Sequence, residues 1–110
     1  MMNVQQLAGL EGFSAAVPVQ DRAVTSVYCA DLLSWAMSRA PEGSAWCTVM
    51  GNVNAVAVAS LADVACIVLC EGAALDAEAE EKARQQGVNI LRTPLPAFTA
   101  GLAIHRAAGL

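Results

Sequence analysis

Two rhythms of hydrophobic and polar positions take turns along the 110 residues. Residues 13–17, 23–29, 44–50, 64–70 and 88–93 are short runs rich in β-branched, aromatic and other apolar side chains. Glycine, proline, asparagine or aspartate punctuates them, and they predict five strands. Helical stretches lie between: 3–10 before Gly12, 31–40 before Pro41, 52–62, 77–86 before Gly87, and a last one that follows Pro94 and Pro96 and runs through 108. In 31–40, Leu32, Leu33, Ala36 and Met37 share an apolar face, and Asp31 stands where an N-cap acceptor would satisfy the free amides of the first turn. In 77–86 acidic residues precede basic ones after a capping Asp76. Glu78 with Lys82 and Glu80 with Arg84 are favourable i,i+4 pairs, which predicts a solvated outer helix.

The segment 52–62 carries both rhythms, since its alternating valines suit a strand and its alanines and leucine suit a helix packed on both sides. Helix is the reading, because 64–70 makes the better buried strand and parallel neighbours need a crossover between them. Strand and helix alternate from residue 23 onward. The predicted fold is therefore α/β, a single domain over 1–110 whose mainly parallel β-sheet of about five strands carries helices on both faces.

Composition adds an expectation about assembly. Hydrophobic residues make up 56% of the chain, above the roughly 45–50% usual for globular domains, and the surplus in so small a domain predicts an apolar surface covered by a second copy in a homodimer. Ten acidic against six basic side chains give a charge of -4, which leaves no broad cationic surface for nucleic acid. The most apolar window, 53–70, is interrupted by Asn54, Ser60 and Asp63, so no membrane span is expected. The opening residues have neither a basic region nor a continuous apolar core, so the cytoplasm is the expected compartment.

Little in the chain suggests reactive chemistry. The four cysteines, at 29, 47, 66 and 70, read as reduced core thiols. Cys66 and Cys70 share one face of a strand yet lie more than about 10 Å apart by the ~3.3 Å rise per residue. With His105 as the sole histidine, neither a metal site nor a cofactor is expected. Ser34 and Ser60 lack the setting of an activated nucleophile. His105 reads as a surface residue, Asp21 and Arg22 as solvated charges, and Trp35 and Trp46 as apolar anchors of the core or of a dimer seam.

The segments "DRAVTS", "ADLLSWAM", "APEGSAWCTVM", "NVNAVAVASLADVACIVLCEG" and "GVNILRT", in that order from about residue 21 to the end, resemble the DRTGG domain. The resemblance implies a regulatory or ligand-sensing module. Such domains look like the N-terminal domain of HPr kinase/phosphorylase, accompany CBS domains or phosphotransacetylases, and in stand-alone form occur beside iron-only hydrogenase subunits. A kinase is not implied, because no G-x-x-x-x-G-K-[ST] segment is present to cradle phosphates. The chain also departs from the family. The glycine pair of the name motif is missing, and Gly51 and Asn52 stand where relatives carry Thr-His, although Asn54 remains. Losing that imidazole removes the best proton carrier.

Open α/β sheets place ligands at the carboxyl ends of their strands. That edge is expected to gather Asp31, Gly51, Asn52, Asn54, Gly72 and Thr93 as ligand-binding residues, with free amides at the start of the 52–62 helix available to an anion. Capping and turn geometry explain the same residues without a ligand. Three functions follow. The first is a noncatalytic regulatory or accessory module that binds a nucleotide, a phosphorylated metabolite or a partner protein as a homodimer. The second is a small enzyme with Asp31 as acid or base, and the third a structural subunit of a redox assembly such as a hydrogenase.

Overall fold

The computed structural model describes residues 2–110. Asn3 caps the first helix, α1 (Val4–Ala8), by accepting from the Gln6 amide at 2.8 Å, while the Gln6 side chain accepts from the Asn3 amide at 3.0 Å. The chain continues through β1 (Ser14–Ala15), β2 (Ser26–Cys29), α2 (Leu33–Arg39), β3 (Ser44–Thr48), α3 (Val53–Ala62), β4 (Cys66–Leu69), α4 (Ala77–Gln86), β5 (Ile90–Arg92) and α5 (Ala97–Ala108). Every expected element is present, most of them shortened at their ends. Helix wins over strand in α3, where Asn52 caps by accepting from the Ala55 amide at 2.9 Å.

The sheet runs in the order β1-β5-β4-β3-β2. Strands β2 to β5 are parallel neighbours, and β1 adds to β5 in the antiparallel sense, Ser14 opposite Arg92. The sheet is therefore mixed, and the expectation of a mainly parallel sheet is refined by this one pair. Each parallel strand is laid beside the last in the same direction. The three connecting helices, α2, α3 and α4, consequently pack on one face with Trp46, Ile67 and Ile90, while α1 and α5 cover the other with Ala45, Cys47, Cys66, Val68 and Leu91. The alternation of these side chains along β3 and β4 follows the period of two in a strand buried on both faces.

Two polar ties hold the layers together. Buried Asn89, just before β5, accepts from the Gln20 amide at 2.7 Å and donates to the Gln20 and Ala65 carbonyls at 2.8 and 3.0 Å. Its side chain replaces a missing strand pairing, so a buried amide is fully used. Arg22 reaches the end of α3, donating to Asp63 Oδ1 at 2.7 Å and to the Val64 and Asp63 carbonyls at 3.0 and 3.1 Å. Asp63 sits there at φ 56°, a left-handed C-cap without glycine. The Asp21–Arg22 pair is thus not simply solvated, because Arg22 has a specific tertiary partner.

Other expectations are corrected. Asp31 does not cap α2: the N-cap position falls on Leu32, and no side chain bonds the first turn. Asp76 occupies the N-cap of α4 but likewise makes no capping bond. Of the paired charges on α4, Arg84 and Glu80 meet at 3.6 Å, and Glu78 and Lys82 do not pair. Trp46 is fully buried, whereas Trp35, Leu32 and Met37 are each about half exposed. Helix α2 turns Ala36 alone fully into the core because it lies beside the edge strand β2, where less sheet is available to cover. Among the described residues no helix is long and apolar enough to cross a membrane.

Candidate functional site

The carboxyl ends of β2, β3, β4 and β5 form one edge of the sheet, and Asp31, Thr48, Gly51, Gly72 and Thr93 follow or end those strands. The strand order never reverses among these four, so the fold lacks the crevice that a reversal opens in doubly wound sheets. The middle of the edge is closed instead. The Gly51 carbonyl accepts from the Asp76 amide at 2.9 Å, and a side chain there would put Cβ 2.1 Å from the Ala74 carbonyl oxygen. Only glycine permits the 73–76 loop to lie this close. Asn52 is occupied as the α3 cap, and Asn54 is exposed one turn edge further along, away from both grooves described below.

The open spaces lie on the two flanks. One groove, of about 260 Å³, is bounded by Gly12, Phe13 and Ser14 on one side and by Gly72, Arg92 and Thr93 on the other. Gly72, at φ 66°, faces open space, and the buried Thr93 hydroxyl accepts from the Leu95 amide at 3.2 Å. The second groove, of about 560 Å³, lies beside the edge strand and is lined by Tyr28, Cys29, Asp31, Leu32, Trp35 and Arg39. The six residues expected at one pocket are therefore divided: Gly72 and Thr93 at one flank, Asp31 at the other, Gly51 and Asn52 half-buried between them, and Asn54 exposed on α3.

In the larger groove the i,i+4 spacing on α2 sets the Arg39 guanidinium 3.9 Å from the centroid of the Trp35 ring. A flat aromatic face and a delocalised cation thus stand together on an exposed wall. Asp31 forms the floor: its Oδ1 accepts from the Thr48 hydroxyl at 2.8 Å and from the Val49 amide at 2.9 Å, tying the end of β2 to the end of β3. Trp46, buried behind, donates its indole N–H to the Ala30 carbonyl at 2.9 Å and fixes the same turn. The Trp35–Arg39 pair escapes sequence reasoning when tryptophan is assigned to the core; its signal was the i,i+4 spacing of an aromatic and a cation.

Behind the groove lies a group of thiols. Cys29 and Cys47 are register partners on β2 and β3, and the neighbouring Cys47 thiol holds the Cys29 thiol down to about 7. The Cys47 thiol likewise lowers Cys70, and Cys47 itself is pushed up by its two thiol neighbours and by burial. Burial pushes Cys66, further along the same face, up to about 12. Cys29 is exposed and the other three are buried, so the expectation of four core thiols holds for three. Among the described residues no three His, Cys, Asp or Glu side chains are grouped to hold a metal ion.

No family model matches the chain, and no curated protein matches it. Among solved structures, the CBS and DRTGG domains of the regulatory region of Clostridium perfringens pyrophosphatase, complexed with the activator diadenosine tetraphosphate, superpose with a TM-score of 0.76 at 17% identity. The match covers 92% of this chain and 45% of that one, so the chain spans less than half of the region it resembles. At this identity the likeness concerns the fold alone, and that fold agrees with the DRTGG resemblance of the sequence.

Proposed function

We propose that the chain is a noncatalytic regulatory module that binds a small anionic ligand with an aromatic ring, of the nucleotide class, in the groove beside β2. The observation that carries this reading is the Trp35–Arg39 wall. An exposed indole offers a stacking face, the guanidinium beside it offers charge and donors to phosphate, and Asp31 supplies an acceptor at the floor. Asp31 Oδ1 already accepts two bonds, which favours a structural role for this carboxylate over proton transfer. A fold shared with a regulatory region that was crystallised with diadenosine tetraphosphate supports the same ligand class.

A second reading concerns partners. Strand β2 is an edge whose outer backbone groups have no strand beside them, and exposed Trp35, Leu32 and Phe98 flank it from α2 and α5. A second copy pairing β2 with β2 would cover these side chains in a homodimer. The DRTGG resemblance extends the reading to a subunit of an iron-only hydrogenase system, a partner for which co-purification is the test.

Thermal denaturation with ATP, AMP, diadenosine tetraphosphate and acetyl phosphate tests the first reading. Binding at 100 times Kd stabilises by about 2.7 kcal/mol. A rise in Tm that disappears in Trp35→Ala and Arg39→Ala supports it. A rise unchanged in both variants, or none with any ligand, removes it.

A further inference from the structure

We propose that Cys29 and Cys47 form an oxidisable dithiol, which a peroxide-class oxidant converts into a disulfide between β2 and β3. The two residues face each other across a parallel pair, Cα opposite Cα, with both side chains on the face covered by α5. Adjacent strands lie about 4.7–4.9 Å apart, inside the roughly 4.4–6.8 Å Cα separation that a disulfide spans. Closing the bond therefore needs side-chain rotation and little movement of backbone. Cys66 has no such partner, since it faces Ala45 in the register.

The two thiols have different access, and the difference orders the steps. Cys29 is exposed at the mouth of an apolar groove lined by Val27, Phe98, Leu102 and His105, and Gly101 keeps it open: a Cβ at that position would stand 3.1 Å from the Cys29 sulfur. Cys47 is fully buried behind it. The Cys29 thiolate, favoured by the neighbouring Cys47 thiol and opposed by partial burial and the Asp31 carboxylate, attacks one peroxide oxygen. The S–O bond forms as the O–O bond breaks, and the leaving hydroxide takes up the proton lost by Cys29 to give water. Cys47 sulfur then attacks the Cys29 sulfenic acid. The S–S bond forms, the S–O bond breaks, and a second water leaves with the Cys47 proton. Two thiols and one hydrogen peroxide give one disulfide and two waters, the sulfurs losing two electrons and the peroxide gaining them.

Oxidation would draw the Cys29 sulfur inward and away from the Ala97 carbonyl, which it now meets at 3.7 Å at the start of α5. The same residue lines the Trp35–Arg39 groove, so the bond would reshape that wall as well. The proposal does not depend on any ligand binding there.

The test is treatment of the reduced full-length chain with hydrogen peroxide, followed by alkylation and peptide mapping without reductant. Cleavage after Arg39 separates Cys29 from the other three cysteines. The expected product is a monomer lighter by two hydrogens, with one cross-linked peptide pair that fragmentation assigns to Cys29 and Cys47. The bond is expected to persist in Cys70→Ala and to vanish in Cys29→Ser, a surface change that leaves the core intact. Cys29 oxidised to sulfinic acid without a cross-link, a bond from Cys29 to Cys70, or a bond between chains would each overturn the proposal.

Discussion

The Asp31 carboxylate and the Thr48 hydroxyl meet at 2.8 Å, and this bond joins the ends of two neighbouring strands. Thr48 is buried on β3, and with Asp31 it fixes the turn that leads from β2 into α2. The candidate site is built on that joint. An aspartate that looks like a helix cap, or like a catalytic carboxylate, acts here as a tie between strands.

Asp31→Ala removes the acceptor and leaves a buried hydroxyl and the Val49 amide without it. The expected cost is about 1–2 kcal/mol, a fall in Tm of roughly 4–8 °C for a domain of this size. Asp31→Asn keeps an acceptor oxygen and is expected to lose less than half as much. Equal losses by calorimetry would show that the bond to Thr48 is not what matters.

Gly51 and Gly72 follow neighbouring strands and predict different outcomes. Gly51→Ala drives a methyl group into the Ala74 carbonyl and must displace the loop, at about 1–3 kcal/mol. Gly72→Ala meets open space and pays only for its positive φ of 66°, about 1–2 kcal/mol. Denaturant titration should also show a lower m-value change for Gly72→Ala, and faster amide exchange at Asp76 in Gly51→Ala alone.

Arg22→Ala strips three acceptors at once, whereas Asp63→Asn weakens one of them. The side chains are 34% and 58% exposed, so solvent reduces the ion pair itself to at most about 1 kcal/mol. Arg22→Ala is therefore expected to cost more than Asp63→Asn, and the two to couple in a double-mutant cycle. Additive losses would contradict a direct tie.

The Cys29 thiol, held down to about 7 by the neighbouring Cys47 thiol, should gain reactivity as pH rises through that value, because the thiolate is the nucleophile. Bimane alkylation at Cys29 is expected to reach half its plateau rate near pH 7 in the native chain. In Cys47→Ala the midpoint should move up toward the ordinary thiol range of about 8.5. An unchanged midpoint would remove Cys47 as the cause.

Much of the fold was legible because each element carries its own period and punctuation: the buried run 64–70, the charged helix closed by Gly87, the cap at Asn52. What local pattern does not encode is register and distance. Cys29 and Cys47 are 18 positions apart in the chain and meet only because β2 and β3 align. Asn89 reads as one more position of the strand 88–93 until Gln20 is laid beside it. Asp31 and Gly72 were grouped by the rule for strand ends, yet the 73–76 loop, admitted by Gly51, seals the space between them. A strand order without reversal explains why the grooves lie on the flanks.

The most direct measurement is an amide correlation spectrum of the labelled chain during titration with a nucleotide identified by thermal shift. Saturable shifts confined to residues 28–39, with the Trp35 indole signal moving and the Trp46 indole signal fixed, are the expected result, with the ligand recovered intact. Shifts centred on Gly72 and Thr93, no saturable shifts at all, or conversion of the ligand to product would contradict a binding module built around Trp35 and Arg39.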